Sequence, residues 1–93
     1  SDVYKRQEEL ALRLSHCGRL HTSENWDDLR KCARSLIAIA DQIGMHVLAR
    51  VAQTVIDCID VGDRVAISAT LARLVRIGEQ SLTAIWDLQD ITV

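Results

Sequence analysis

The stretch that most constrains the fold is residues 25–45, NWDDLRKCARSLIAIADQIGM. Asn25 is a good helix cap, Asp28 lies where a reciprocal capping acid is expected, and Gly44 favours the left-handed conformation that ends a helix. Within the stretch, apolar residues recur at helical spacing. This spacing predicts one buried stripe on a helix starting at Trp26, formed by Leu29, Cys32, Ala33, Leu36, Ala40 and Ile43.

The opposite face of this central helix carries a mixed set of residues. Steps of three, four and seven residues return to one side of a helix, and they bring Arg30, Arg34, Ile37, Ala38 and Asp41 together. A basic residue at the middle of an outward face, with a small residue one turn later, is typical of a docking surface. It is less typical of a catalytic site.

Three further amphipathic segments accompany the central helix. They predict helices over about residues 8–20, 45–60 and 64–88, separated by short polar or glycine-containing connections. Gly18 and the polar residues after Leu20 are expected to end the first helix, and Asp63 to cap the last. Gly78 interrupts the last pattern and suggests a close helix contact. Short connections make consecutive helices antiparallel, so we expect an all-α, up-down-up-down four-helix bundle.

Composition excludes several function classes. The net charge is −2, whereas nucleic-acid binding needs a concentrated basic surface. No apolar run approaches the length of a membrane span and no secretory signal is present, so we expect a soluble, cytoplasmic chain with no membrane partner. No pair of side chains has the spacing of a general acid and base or an activated nucleophile. We therefore expect neither an enzyme nor a cofactor.

The three cysteines, Cys17, Cys32 and Cys58, are scattered along the chain. All three fall on or beside apolar helical positions, which favours small buried side chains in a reducing compartment. Cys17 and His21 are one helical turn apart, with His16 nearby, but no second Cys or His pair has a spacing that would complete a set of four metal ligands. We therefore expect no metal site and no disulfide framework.

Residues 1–7 are expected to be foreign to the domain. The string DVYKRQ, residues 2–7, resembles the translation of a transposon-end adaptor used to prepare sequencing libraries. Such segments are excluded from reasoning about a fold. The expected organisation is thus an adaptor scar over residues 1–7 and one helical domain over residues 8–93, truncated at its N-terminus.

The helix order and the run from Trp26 to Gly44 resemble the histidine phosphotransfer (HPt) domain of bacterial phosphorelays. That family carries a surface histidine, followed by Leu two positions later, Lys three later, Gly four later and Gly ten later. The matching positions here are Arg34, Leu36, Ile37, Ala38 and Gly44. The resemblance covers roughly residues 10–88 and implies a four-helix bundle that docks on receiver domains and histidine kinases.

The phosphoryl-accepting histidine of the family is replaced here by Arg34. A guanidinium stays protonated and offers no lone pair for phosphoryl transfer. The expectation is therefore a non-phosphorylatable HPt-like module that docks on a receiver domain or histidine kinase through Arg30, Lys31, Arg34, Ile37, Ala38 and Asp41. Two alternatives remain open: a generic helical interaction or dimerisation domain, possibly a homodimer, or an HPt domain that uses His16, His21 or His46.

Overall fold

The computed structural model describes residues 2–91, with side chains up to residue 88. Within residues 2–91 the chain forms four helices and no strands. These are α1 (Asp2–Thr22), α2 (Trp26–Gln42), α3 (His46–Val61) and α4 (Arg64–Ile91). The prediction of an all-α chain with four helices is confirmed. Ser1 of the predicted scar and residues 92–93 lie outside the described residues.

The helices are arranged around one core. Each helix contacts two others: α1 contacts α2, α2 contacts α3, α3 contacts α4, and α4 contacts α1. The chain extends over 46 × 21 × 20 Å, so its long dimension follows the helices. Because α2 contacts only α1 and α3 within the described part of the chain, its third side is left open to solvent.

The apolar stripe predicted for the central helix forms its buried face. Five of its six members are buried, Ile43 is half-buried, and Ile39 is buried in addition. The core is aliphatic, because the whole chain contains three aromatic residues and none of them is fully buried. Its largest fully buried side chains are Leu10, Leu29, Leu36, Leu48, Ile56, Leu74, Val55 and Cys17.

The predicted helix starts are largely confirmed. The side chain of Asn25 accepts a hydrogen bond from the backbone N–H of Asp28, and Asp63 likewise accepts one from Ala66. The carboxylate of Asp28 does not complete a reciprocal box, because the backbone N–H of Asn25 donates to the carbonyl of Leu20. Asp28 accepts a hydrogen bond from the side-chain amide of Asn25 instead, at 2.9 Å.

The first three helices end in the same way. After each one, a residue with positive φ is followed by an N–H that donates to the carbonyl five residues earlier. Gly44 (φ 78°) and Gly62 (φ 82°) take this position after α2 and α3. After α1 the position is held by Glu24, at φ 55°. A side chain is unfavourable there, because Cβ crowds the backbone in the left-handed region.

Two expectations about glycines are wrong. Gly18 does not end the first helix, which begins at Asp2 and continues to Thr22. Gly78 does not interrupt the last helix, which continues to Ile91. One missing side chain does not break a helix whose neighbouring residues bury apolar surface. The close contact suggested at Gly78 is confirmed, because a Cβ there would overlap the side chain of Leu14 on α1.

The start of α1 contains a buried polar side chain. Gln7 is buried, and its Oε1 atom has no hydrogen-bond partner. Residues 2–5 are exposed and contribute little to the core. The buried amide oxygen costs free energy, because it has lost water without gaining a donor. Whether residues 1–7 are an adaptor scar stays a prediction.

Candidate functional site

The candidate surface is the outward face of α2. Arg34, Ala38 and Asp41 are exposed along its middle line, where neither α1 nor α3 covers them. Arg30 and Ile37 are half-buried, and Ile37 packs against the core. The six predicted site residues therefore do not form one uniform surface. A partner can reach Arg34, Ala38 and Asp41 directly, but only part of Ile37.

Arg30 is bound to a neighbouring helix. Its Nε donates to Oδ1 of Asp60 at 2.8 Å, and its Nη2 donates to Oδ2 at 3.1 Å. Two parallel hydrogen bonds between a guanidinium and a carboxylate fix the geometry of both groups. They lower the pKa of Asp60 and raise that of Arg30. Arg30 therefore joins α2 to α3, and the carboxylate of Asp60 offsets its positive charge.

Arg34 keeps its charge available. In the described part of the chain, no carboxylate forms an ion pair with it. The pKa of Asp60 is lowered mainly by the hydrogen bonds from Arg30 and, to a smaller extent, by the positive charge of Arg34. Arg34 therefore lies within electrostatic range of that carboxylate. The middle of the outward face of α2 thus presents an exposed cation.

Lys31 lies on the other side of the same face, towards α1. It lines a shallow pocket of about 210 Å³ together with Arg13 and His16 of α1, and with Asp28, Cys32 and Ser35 of α2. Arg13 and His16 also line an adjoining pocket of about 360 Å³ with Glu9, Leu12 and Arg19. We call Arg13, His16, Lys31 and Arg34 the basic surface.

A weaker contact lies at the C-terminal end of the outward face of α2. Oδ1 of Asp41 lies 3.5 Å from Nδ1 of His46, the first residue of α3, and both side chains are largely exposed. This contact is an ion pair only when the imidazole is protonated. Asp41 therefore limits the basic character of the face at one end.

Sequence reasoning missed the residues that neighbouring helices contribute. Asp60 neutralises Arg30, and Arg13 and His16 extend the surface beyond Lys31. Helical spacing places residues on a face of their own helix, but it does not give the rotation of the next helix. The only signal available was that Arg13, His16 and Asp60 are polar residues outside the predicted apolar stripes.

The three histidines occupy different places, and none lies within α2. Nε2 of His21 lies 2.9 Å from Oγ of Ser68 on α4, and its ring packs edge-on against Trp26 with the ring centroids 5.8 Å apart. This contact borders a groove of about 610 Å³ between α1 and α4. His46 contacts Asp41, whereas His16 is exposed on the basic surface.

Neither a metal-binding cluster nor a membrane-spanning helix occurs among the described residues. No three His, Cys, Asp or Glu side chains of this part of the chain converge closely enough to hold a metal ion. None of its helices combines the length and apolar character needed to cross a bilayer. No protein-family model, curated protein or solved structure matches the chain significantly.

Proposed function

We propose that this chain is a non-phosphorylatable HPt-like module, with an antiparallel up-down-up-down arrangement of its four helices. It docks on a response-regulator receiver domain or a histidine kinase of a cytoplasmic two-component phosphorelay. The observation that carries the proposal is the exposure of Arg34 at the middle of an uncovered face of α2. In the family that the sequence resembles, this position belongs to the phosphoryl-accepting histidine.

With arginine at this position, the chain can dock on a partner but cannot accept its phosphoryl group. Phosphoryl transfer to a side chain requires a nucleophile with a free lone pair, which the neutral imidazole supplies. The guanidinium of Arg34 is protonated at every physiological pH and can only donate hydrogen bonds. Such a module occupies a partner without taking its phosphoryl group, and it competes with proteins that do.

The surroundings of Arg34 favour an acidic partner. The resemblance implies that receiver domains surround their phosphorylated aspartate with further carboxylates. Lys31 and Arg34 are exposed one turn apart on α2, and Arg13 continues the positive charge on α1. Charge-assisted hydrogen bonds from these groups to carboxylates are about twice as strong as neutral ones. Ala38 leaves room for close approach, and the exposed part of Ile37 adds apolar contact.

A second candidate function is phosphoryl acceptance by His16. This histidine is exposed and lies in the pocket that contains Arg13 and Lys31, whose charges would stabilise a phosphoryl group. It lies on α1 instead of α2, away from the position of the family's histidine. His21 is engaged with Ser68 and is a weaker candidate.

A third candidate is a generic interaction domain that self-associates. Val61 and Val65, on either side of the turn between α3 and α4, are 81% and 80% exposed, and Trp86 and Leu88 are exposed near the other end of α4. Burying these side chains between two copies would stabilise a homodimer. Molar mass measured by light scattering over a tenfold concentration range tests this alternative, which predicts a dimer.

Phosphoryl transfer is tested directly with phosphorylated receiver domains. A panel of receivers is phosphorylated with a labelled acyl phosphate and mixed with this chain, with an active HPt protein as positive control. The proposal predicts no label on the chain. Label that disappears in the His16→Gln variant but persists in His21→Gln would contradict the proposal and establish His16 as the acceptor.

A further inference from the structure

Two cysteines from neighbouring helices meet beneath the basic surface. The Sγ atoms of Cys17 on α1 and Cys32 on α2 lie 3.0 Å apart, and both thiols are free. The Cys17 thiol donates to the sulfur of Cys32, which in turn donates to the backbone carbonyl of Arg13 at 3.4 Å. The sulfur separation in a disulfide is about 2.05 Å, so the two Sγ atoms must approach by about 1 Å to form one.

The two sulfurs differ in their access to solvent. Cys17 is fully buried, whereas Cys32 retains 6% exposure and lines the pocket that contains Arg13, His16 and Lys31. A small reagent that enters this pocket, whose walls carry Asp28 as well as Arg13 and Lys31, meets Cys32 before Cys17. Cys17 lies directly behind it, within reach of Cys32 but not of the solvent.

Their hydrogen bond and the surrounding charges give the two cysteines different acidities. The hydrogen bond from Cys17 lowers the pKa of the Cys32 thiol; burial opposes this effect, and the charges of Arg13 and Arg19 lower the pKa further. Donating that hydrogen bond and being buried raise the pKa of Cys17. The accessible cysteine is thus the one that more readily forms the nucleophilic thiolate.

We propose that Cys17 and Cys32 are a site of reversible oxidation, and that a low-molecular-weight disulfide such as oxidised glutathione converts them to an intramolecular disulfide. The Cys32 thiolate attacks one sulfur of the oxidant, forming a mixed disulfide and releasing one thiolate. The Cys17 thiol then attacks Sγ of Cys32, and its proton passes to the departing thiolate, which leaves as the second thiol. In sum, two cysteine thiols are oxidised and one disulfide is reduced to two thiols.

The new bond would lock α1 to α2 next to the basic surface. Cys32 is adjacent to Lys31 and two residues before Arg34, so the bond fixes the segment that carries both cations. It also closes a loop between positions 15 residues apart, which restricts the unfolded chain. For a loop of this size and a domain of this length, the melting temperature should rise by about 12–24 °C.

The test exposes the folded 93-residue chain to oxidised glutathione, followed by tryptic digestion without reduction and mass spectrometry. Cleavage after Arg13, Arg19, Lys31 and Arg34 places Cys17 in peptide 14–19 and Cys32 in peptide 32–34. Cys58 falls in peptide 51–64 and provides an internal control. We expect one cross-linked species that joins 14–19 to 32–34, with the higher melting temperature, and the same result for Cys58→Ser.

Two variants separate the steps. In Cys17→Ala the reaction should stop at a stable glutathione adduct on Cys32, because no second thiol resolves it. In Cys32→Ser, Cys17 should stay unmodified in the folded chain. Oxidation confined to Cys58, a glutathione adduct that persists on Cys32 of the unsubstituted chain, or reaction only after denaturation would overturn the proposal. None of these outcomes depends on whether the chain docks on a receiver domain.

Discussion

The guanidinium of Arg30 on α2 donates two hydrogen bonds, of 2.8 and 3.1 Å, to the carboxylate of Asp60 on α3. The two arginines that sequence spacing places on one face of α2 therefore have different roles. Arg30 orients α2 against α3, whereas Arg34, one turn later, forms no ion pair in the described part of the chain. Docking should therefore depend on Arg34 and much less on Arg30.

Replacing Arg30 by Ala should raise the pKa of Asp60 towards its ordinary value of 3.8, which NMR titration of the carboxyl group measures. In the unsubstituted chain the pKa is lowered in the folded state, so the pair stabilises the fold above pH 3.8. This stabilisation is lost as the pH falls through the lowered pKa. The effect should be modest, because both side chains are partly exposed to solvent.

The matched control is Arg73→Ala, which removes an exposed arginine from α4. It should leave the Asp60 titration unchanged. An Asp60 pKa that is the same with and without Arg30 would show that the two groups are not bonded in solution.

Gly78→Ala should destabilise the fold, although alanine is the better helix former. The added Cβ overlaps the buried side chain of Leu14, and overpacking of this kind costs about 1–3 kcal/mol. The gain in helix propensity offsets about 1 kcal/mol of that cost. Chemical denaturation should therefore show a net loss of about 1 kcal/mol, and a smaller loss in a Leu14→Val background.

Gly18 provides the control for this substitution. No atom outside its own helix backbone lies within 4 Å of a Cβ placed there, so Gly18→Ala should stabilise the fold by about 0.5–1 kcal/mol. If Gly78→Ala is as stabilising as Gly18→Ala, then Leu14 moves aside without cost and the close contact does not limit the residue at position 78.

Glu24→Gly should stabilise the turn between α1 and α2. Glu24 has a positive φ of 55°, which glycine adopts without the crowding caused by Cβ. We expect a gain of about 0.5–1 kcal/mol, reduced slightly by loss of the exposed ion pair with Arg64 at 3.3 Å. Glu24→Ala loses the same ion pair but keeps Cβ, so it should give no gain. Equal effects of the two variants in thermal denaturation would contradict this explanation.

Gln7→Met should also increase stability. The Oε1 atom of Gln7 is buried without a partner, and replacing it by an apolar side chain of similar length removes about 1 kcal/mol of desolvation cost. The neighbouring Glu8 is exposed, so Glu8→Met should change the free energy of unfolding by less than about 0.5 kcal/mol. A loss of stability in Gln7→Met would indicate that a bound water satisfies the amide oxygen.

Much of the fold was predictable because local signals and burial agree. The buried stripe of α2, the caps at Asn25 and Asp63, and the end at Gly44 all follow from residue type and spacing. The wrong expectations at Gly18 and Gly78 have a common cause. Glycine weakens a helix by only about 1 kcal/mol, which packing against other helices readily outweighs.

The candidate site was predictable only along its own helix. Exposure of Arg34 and Ala38 follows from their positions opposite the buried stripe. The pairing of Arg30 with Asp60, and the contact of Cys17 with Cys32, depend on how neighbouring helices are rotated about their axes. That rotation results from the packing of many side chains and leaves no signal at a fixed sequence spacing.

Docking through Arg34 can be measured by calorimetric titration with a panel of receiver domains. Each receiver is titrated into the unsubstituted chain and into Arg34→Ala, Arg30→Ala and Arg73→Ala, at low and high salt. We expect saturable binding that weakens at least several-fold in Arg34→Ala and with added salt, because exposed charges are screened. Arg30→Ala should weaken binding less, and Arg73→Ala should not change it. Absence of binding across the panel, or binding that is indifferent to Arg34, would show that the chain does not dock on receivers through this face.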